Sequence, residues 1–143
     1  MEVPAPIRIV FLDDDPDTLS TLSLLADLDG GFEVLGAVSN VAELAALARS
    51  VMPDVVVVDH RVAPVDIDRT MRGHHARGEP RSLDDMSGLE AVALLRSIRP
   101  DGLIVVYTGL PGLATSAANA GADLYVEKGD PAALLATIKE HRG

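Results

Sequence analysis

The segment PDVVVVDH, residues 53–60, places four β-branched residues in a row directly before an aspartate. The run does not alternate, so it does not suit a strand with one face in water. It suits a strand covered on both faces, as in the interior of a parallel sheet. Parallel strands need long crossover connections, usually helices, so these eight residues already ask for an α/β fold. They also pose a problem, because the charge of Asp59 is costly to desolvate.

The rest of the chain supplies the crossovers. IRIVFL (7–12) reads as a strand, followed by helix-spaced Leu19, Leu22, Leu25 and Leu28, with Gly30 and Gly31 as the stop. FEVLGAVS (32–39) alternates like a strand, and Asn40 is placed to cap the helix VAELAALARS. After DVVVVD (54–59) comes a long irregular stretch. Ser87 and Glu90 then form a capping-box pattern opening GLEAVALLRSI, which Pro100 ends. LIVVYT (103–108), a small-residue helix over 111–120 and DLYVEK (123–128) follow. The last helix has Asp130 at its cap and Pro131 in its first turn. Strand and helix alternate five times, which implies a doubly wound, five-stranded parallel sheet with helices on both faces and right-handed crossovers.

In such folds polar chemistry gathers where the strands end. Strand one ends in Asp13, Asp14 and Asp15, strand three in Asp59, strand four in Thr108 and strand five in Lys128. Aligned parallel strands would bring these onto one edge. Crowded carboxylates raise each other's pKa unless a cation intervenes, and Mg²⁺ is a hard ion suited to carboxylate, water and phosphate oxygens. With a lysine and a hydroxyl facing the same point, the set has the parts of a phosphoryl-transfer site. Asp59 would be the nucleophile. Taken singly, each residue has a plainer reading: a helix cap for DDDPD, a loop hydroxyl for Thr108, a solvated charge for Lys128. The ordered set is what points to chemistry.

The set resembles the receiver domain of bacterial two-component response regulators, chemotaxis-regulator-like, over about Ile7 to His141. VFLDDDPDTL is similar to that family's acidic pair, VVVVDH to its phosphoacceptor strand, VVYTG to its switch threonine and YVEKGD to its lysine. The resemblance implies a flavodoxin-like sheet of strand order 2-1-3-4-5. It implies that Asp14 holds Mg²⁺ directly and Asp13 mainly through water, with Asp59 and the backbone carbonyl of Arg61 as further metal ligands. It implies that Asp59 takes a phosphoryl group from a histidine kinase or phosphotransfer protein, that Thr108 hydrogen-bonds a phosphoryl oxygen and that Lys128 pairs with the phosphoryl charge. Tyr125 falls at the aromatic switch position, turning inward as Thr108 is drawn toward the phosphate. A half-buried strand aromatic is the plainer account of Tyr125. The Gly- and Ala-rich helix PGLATSAANAG, strand five and the last helix are the expected output face toward a downstream protein.

Two departures from the family pattern stand out. The matching Gly88 lies 29 residues after Asp59, an insertion of roughly twenty. Pro64 also falls one place late, which bears on where the Arg61 carbonyl sits. The inserted stretch is basic: residues 61–81 carry five Arg against three acids, while the chain as a whole has a net charge of −10. The loop at about 61–86 reads as a flap over the acidic site, a docking surface or a mobile solvated loop. His74 and His75 are adjacent, point different ways and have no companion ligands. The second departure is Gly129, where many receivers have proline.

Composition narrows the classes. The acidic balance argues against sequence-independent nucleic-acid binding, which needs cationic surface. No cysteine is present, so disulfides and thiolate chemistry are excluded, and only four residues are aromatic, so the core must be aliphatic. The first hydrophobic run stops at three aspartates, a poor signal peptide, and no apolar segment reaches membrane-spanning length. The expectation is one cytoplasmic receiver domain over residues 1–143, not an enzyme beyond its own phosphorylation and dephosphorylation, signalling by protein contact. The rivals are a haloacid dehalogenase-like phosphatase, with Asp13 as nucleophile and Asp15 as acid, and a binding module that is never phosphorylated. The phosphatase leaves Asp59 unexplained.

Overall fold

A computed structural model describes residues 5–59, 88–99, 101–109, 112 and 114–142. Five strands alternate with five helices: β1 (Ile7–Leu12), α1 (Pro16–Asp29), β2 (Phe32–Val38), α2 (Val41–Val51), β3 (Val55–Val58), α3 (Gly88–Ile98), β4 (Leu103–Thr108), α4 (Ala114–Ala120), β5 (Leu124–Glu127) and α5 (Pro131–Arg142). All pairings are parallel, and the order is β2-β1-β3-β4-β5. This is the flavodoxin-like sheet that the resemblance implies. Arg61, Ser87, Pro100, His74, His75 and the basic insertion lie outside the described residues.

The valine run divides between two cores. Val55 and Val57 join Ile9, Phe11, Val105 and Tyr107 beneath α1 and α5. Val56 and Val58 join Val10, Leu12, Ile104 and Val106 beneath α2, α3 and α4. All four valines are at most 3% exposed, so each contributes roughly the 1.5–3 kcal/mol of a fully buried aliphatic side chain. The two-residue period of the strand does this: successive side chains point to opposite faces, and here both faces are dry.

Helix ends follow the chemistry of their residues. The Asp15 carboxylate caps α1 by accepting the Asp17 N–H at 3.0 Å, and Gly30 closes the helix at φ 83°, a left-handed turn that costs glycine nothing. Asn40 and Glu43 cap α2 reciprocally, Asn40 Oδ1 accepting the Glu43 N–H and Asn40 Nδ2 donating to Glu43 Oε1. Asp130 caps α5 through the Ala132 N–H at 3.0 Å. One part of the α1 reading is corrected. Leu19 and Leu22 are buried and Leu25 half-buried, but Leu28 is 72% exposed and Ala26 takes the inner position instead. At 100° per residue the spacing of three drifts off the buried face, and Leu28 has rotated out. Strands three and five are also shorter by a residue at each end than the sequence suggests.

The far end of the sheet from the aspartates is fastened by Arg96 of α3. Its guanidinium donates to the Gly121 carbonyl at 2.7 Å, the Gly102 carbonyl at 2.9 Å and Asp123 Oδ2 at 2.6 Å. Asp123 also accepts the Ile104 N–H at 2.9 Å. This network ties the starts of β4 and β5 to α3, so that the opposite ends, Thr108 and Lys128, hang from a fixed frame.

Candidate functional site

The tips of β1 and β3 are set by backbone bonds to their neighbours: Asp13 N–H to the Val38 carbonyl at 3.1 Å, and Asp59 N–H to the Leu12 carbonyl at 2.9 Å. Strand pairing aligns Leu12 with Val58, so the next residues on each strand stand side by side. Carboxylate oxygens of Asp13, Asp14 and Asp59 all lie within 4.8 Å of one another. Asp13 and Asp59 are each 2% exposed, while Asp14 is open to solvent.

Lys128 closes the cluster from β5. Its Nζ donates to Asp13 Oδ2 at 2.8 Å and stands 3.4 Å from Asp59 Oδ2. Burial works against the ammonium, but the Asp13 hydrogen bond and the Asp59 and Asp13 charges outweigh it, and the Lys128 pKa lies above the ordinary lysine value. Its backbone is held too, the Lys128 N–H donating to the Thr108 carbonyl at 2.6 Å. Thr108 is fully buried at the end of β4. The residues reach the site from both sides of the sheet. Asp13, Asp59 and Lys128 continue the alternation of the α1 and α5 face, whereas Thr108 follows Val106 on the other face. Tyr125 is half-buried, pairs in register with Val106 and packs against that same second core, so it shares a face with Thr108.

Asp14 bears the cost of the crowding. Partial desolvation of its carboxylate raises its pKa, and the Asp13 charge adds to the rise, even though the residue as a whole is exposed. A raised carboxylate pKa marks stability that is present below the ordinary aspartate value and lost as pH rises through the folded value. Above the folded value that stability is gone. Asp14→Asn is therefore expected to melt above the wild type at pH 7 without divalent ions, to converge with it in acid, and to respond less to added Mg²⁺. A lower melting temperature at pH 7 would contradict the crowding.

Three carboxylates that approach this closely and present only hard oxygen donors fit Mg²⁺, which binds through one or two carboxylates and keeps several waters. Asp15, though adjacent, is committed elsewhere. Thr18 Oγ1 donates to it at 3.0 Å alongside the Asp17 N–H, and these two bonds hold its carboxyl below the ordinary aspartate range. Such a group is a poor general acid near neutrality.

Tyr107 escaped the sequence reading. Lying one residue before Thr108, it is 3% exposed, and the Lys128 Nζ sits over its ring, 5.8 Å from the centroid. Burial raises its hydroxyl pKa. The alternation of β4 could have flagged it, since Tyr107 shares a parity with Val105 and faces α1 and α5.

No family model matches the chain. It is 33% identical over 129 residues to the photosynthetic apparatus regulatory protein RegA of Cereibacter sphaeroides, an alignment covering 89% of this chain and 58% of RegA. A CheY-like response regulator receiver domain protein from Methanospirillum hungatei superposes with a TM-score of 0.72 at 26% identity, over 96% of this chain and 94% of that one. The chain is a response-regulator receiver domain. A response regulator from Burkholderia pseudomallei, solved with a phosphorylated aspartic acid, calcium ion and citrate, is also similar to this receiver domain, at 26% identity and a TM-score of 0.68 over 91% of this chain and 65% of the other. Among the described residues, no helix of the receiver domain is long and apolar enough to cross a membrane.

Proposed function

We propose that this receiver domain is the phosphoacceptor of a two-component phosphorelay, taking a phosphoryl group from a histidine kinase or phosphotransfer protein onto Asp59 and switching a protein-binding face. The meeting of Asp13, Asp14, Asp59 and Lys128 at one point, from three strands, carries this reading. The Burkholderia pseudomallei relative with a phosphorylated aspartic acid supports it.

An Asp59 carboxylate oxygen attacks the phosphorus of a phosphohistidine. The new O–P bond forms as the P–N bond breaks, and its electron pair leaves with the imidazole. Lys128, already between the two buried carboxylates, pairs with the incoming phosphoryl charge, and the Thr108 hydroxyl donates to a phosphoryl oxygen. Asp13, Asp14, Asp59 and the Arg61 carbonyl would hold Mg²⁺, which when bound neutralises charge among these oxygens. Hydrolysis reverses the loading, water taking the phosphoryl group as the Asp59 O–P bond breaks. Thr108 moves toward the phosphoryl group and leaves space on its face of the sheet, which Tyr125 fills, reshaping α4, β5 and the face toward a downstream protein.

The phosphatase reading requires Asp15 as a proton donor, and its commitment to the α1 cap disfavours that role. Stoichiometry separates the two. Incubation with acetyl phosphate and Mg²⁺ is expected to load about one phosphoryl group per chain, lost in Asp59→Asn, in keeping with a covalent acceptor. Rapid multiple-turnover phosphate release that survives Asp59→Asn and vanishes in Asp13→Asn would establish the phosphatase instead.

A further inference from the structure

Along its length α4 has little to hold it. Five of its seven residues are exposed, and of the seven only Ala117 is buried, so the helix gains little from apolar burial. Its carboxyl end is better fixed. Gly121, at φ 116°, donates its N–H to the Ala118 carbonyl, and the Ala122 N–H donates to the Ala117 carbonyl, both at 3.0 Å. This left-handed close, which glycine adopts without steric cost, satisfies carbonyls that the helix leaves free. The Gly121 carbonyl then faces α3, where Arg96 Nε and Nη2 donate to it at 3.1 and 2.7 Å. A Cβ on Gly121 would already touch the Arg96 stem at 3.5 Å. Two residues on, Asp123 bonds β4 in both directions, its N–H to the Ile104 carbonyl at 2.8 Å and its carboxylate from the Ile104 N–H at 2.9 Å. Arg96 Nη2 donates to that same carboxylate. The carboxyl end of α4 is thereby tied to α3 and to the start of β4. Its amino end follows Thr108, the residue that moves in the proposed switch, by way of residues 109–113.

We propose that Arg96 is a positioning residue for the switch, its fork holding Gly121 to the sheet so that loading of Asp59 tilts α4 about Gly121 instead of sliding it. The amino end, near Thr108, swings, and the carboxyl end stands still. This rests on the reading of Asp59 as the phosphoacceptor and deepens it by naming the motion that reaches the output face. A guanidinium suits the task, because one rigid plane reaches the Gly121 and Gly102 carbonyls and Asp123 together. Arg96 acts on α4 through Gly121.

Beryllium fluoride with Mg²⁺ mimics an acyl phosphate without turnover, and N–H residual dipolar couplings report rotation of an element but not its translation. In the wild type the couplings of Ala114–Ala120 are expected to change together on loading, as one helix with a new axis. Those of Gly121, Ala122 and Asp123 are expected to keep fitting the orientation of β4. Unchanged α4 couplings, or a Gly121 that turns with the helix, overturn the proposal. Arg96→Met keeps the side-chain stem and removes the donors. Without ligand, hydrogen exchange at the Gly121 and Ala122 amides is expected to quicken about 5- to 30-fold, the factor for one or two lost net hydrogen bonds. On loading, Gly121 should leave the β4 orientation in this variant. An arginine that served only general stability would quicken exchange in α2 as much as at Gly121 and leave Gly121 with the sheet, and that result overturns the proposal. If Arg96→Met does not fold, Arg96→Lys keeps a charge beside Asp123, but a single ammonium cannot replace the fork on Gly121. The same two changes are expected there, and their absence overturns the proposal. If beryllium fluoride leaves the Asp59 amide of the wild type unshifted, the phosphoacceptor reading fails, and exchange at Gly121 and Ala122 still decides whether Arg96 holds the end of α4.

Discussion

Lys128→Met is expected to produce two large losses with one cause. Loading of Asp59 by a small phosphodonor should fall on the order of a hundredfold, the usual effect of removing one preorganised charge from a developing anion. The folded state should also weaken by about 2–4 kcal/mol at pH 7, because two carboxylates that are each 2% exposed lose the cation between them. The figure sits below the cost of breaking a wholly buried pair because the lysine side chain is itself 24% exposed and partly screened. The pH dependence carries the sign. The Lys128 pKa is raised, against its own desolvation, by the Asp13 hydrogen bond and the neighbouring charges. The stability it contributes is therefore present below the ordinary lysine value and lost as pH rises through the folded value. Wild type and variant should converge in strong alkali. Added Mg²⁺, binding in place of the lost cation, should restore most of the variant's deficit at pH 7. Urea melts across pH, with and without Mg²⁺, measure all three. A variant as stable as the wild type at pH 7 would mean that the lysine does not neutralise the cluster.

The second large effect lies in the core. Among the described residues Phe11 is the largest fully buried side chain, in a chain with only two phenylalanines. It sits on β1 between Ala37 of β2 and Val57 of β3, among the residues under α1 and α5. Its neighbours on β2 and β3 are held by strand pairing and its cover comes from packed side chains of α1 and α5, so the site closes only partly over the space a ring would leave. Phe11→Ala is expected to cost about 3–5 kcal/mol, a large share of the 5–15 kcal/mol that holds a typical domain together. Chemical denaturation checks it, and a loss below about 1 kcal/mol would mean the cavity closes, contrary to a core packed at native density. Asp13 is two residues further along the same strand and face, so a softened β1 should also loosen the carboxylate it presents.

Much of this was legible from residue types. Four β-branched residues in a row can be satisfied only by burial on two faces, and Val55 to Val58 do divide between the two cores. Caps at Asp15, Asn40 and Asp130 follow from side chains that can reach the first free N–H groups of a helix. The convergence of Asp13, Asp14, Asp59 and Lys128 followed from strand ends, because parallel strands in register must deliver their last residues to one edge. Legibility failed where a contact depends on three dimensions at once. Leu28 has helical spacing, but the face it occupies is decided by what packs against α1. Nothing in the local sequence singles out Arg96, whereas four hydrogen bonds to acceptors at the starts of β4 and β5 occupy its guanidinium. Lys128 was assigned to the phosphoryl charge, yet it lies closer to Asp13 than to Asp59, and nothing in the spacing of residues 13, 59 and 128 ranks those two partners.

Asp59 is the acid that this arrangement is expected to serve. The most direct measurement is peptide mapping by mass spectrometry after incubation of the chain with acetyl phosphate and Mg²⁺. One phosphoryl group on the peptide that contains Asp59 is the predicted result. A phosphoryl group on the peptide containing Asp13, or no gain in mass on any peptide, would contradict it.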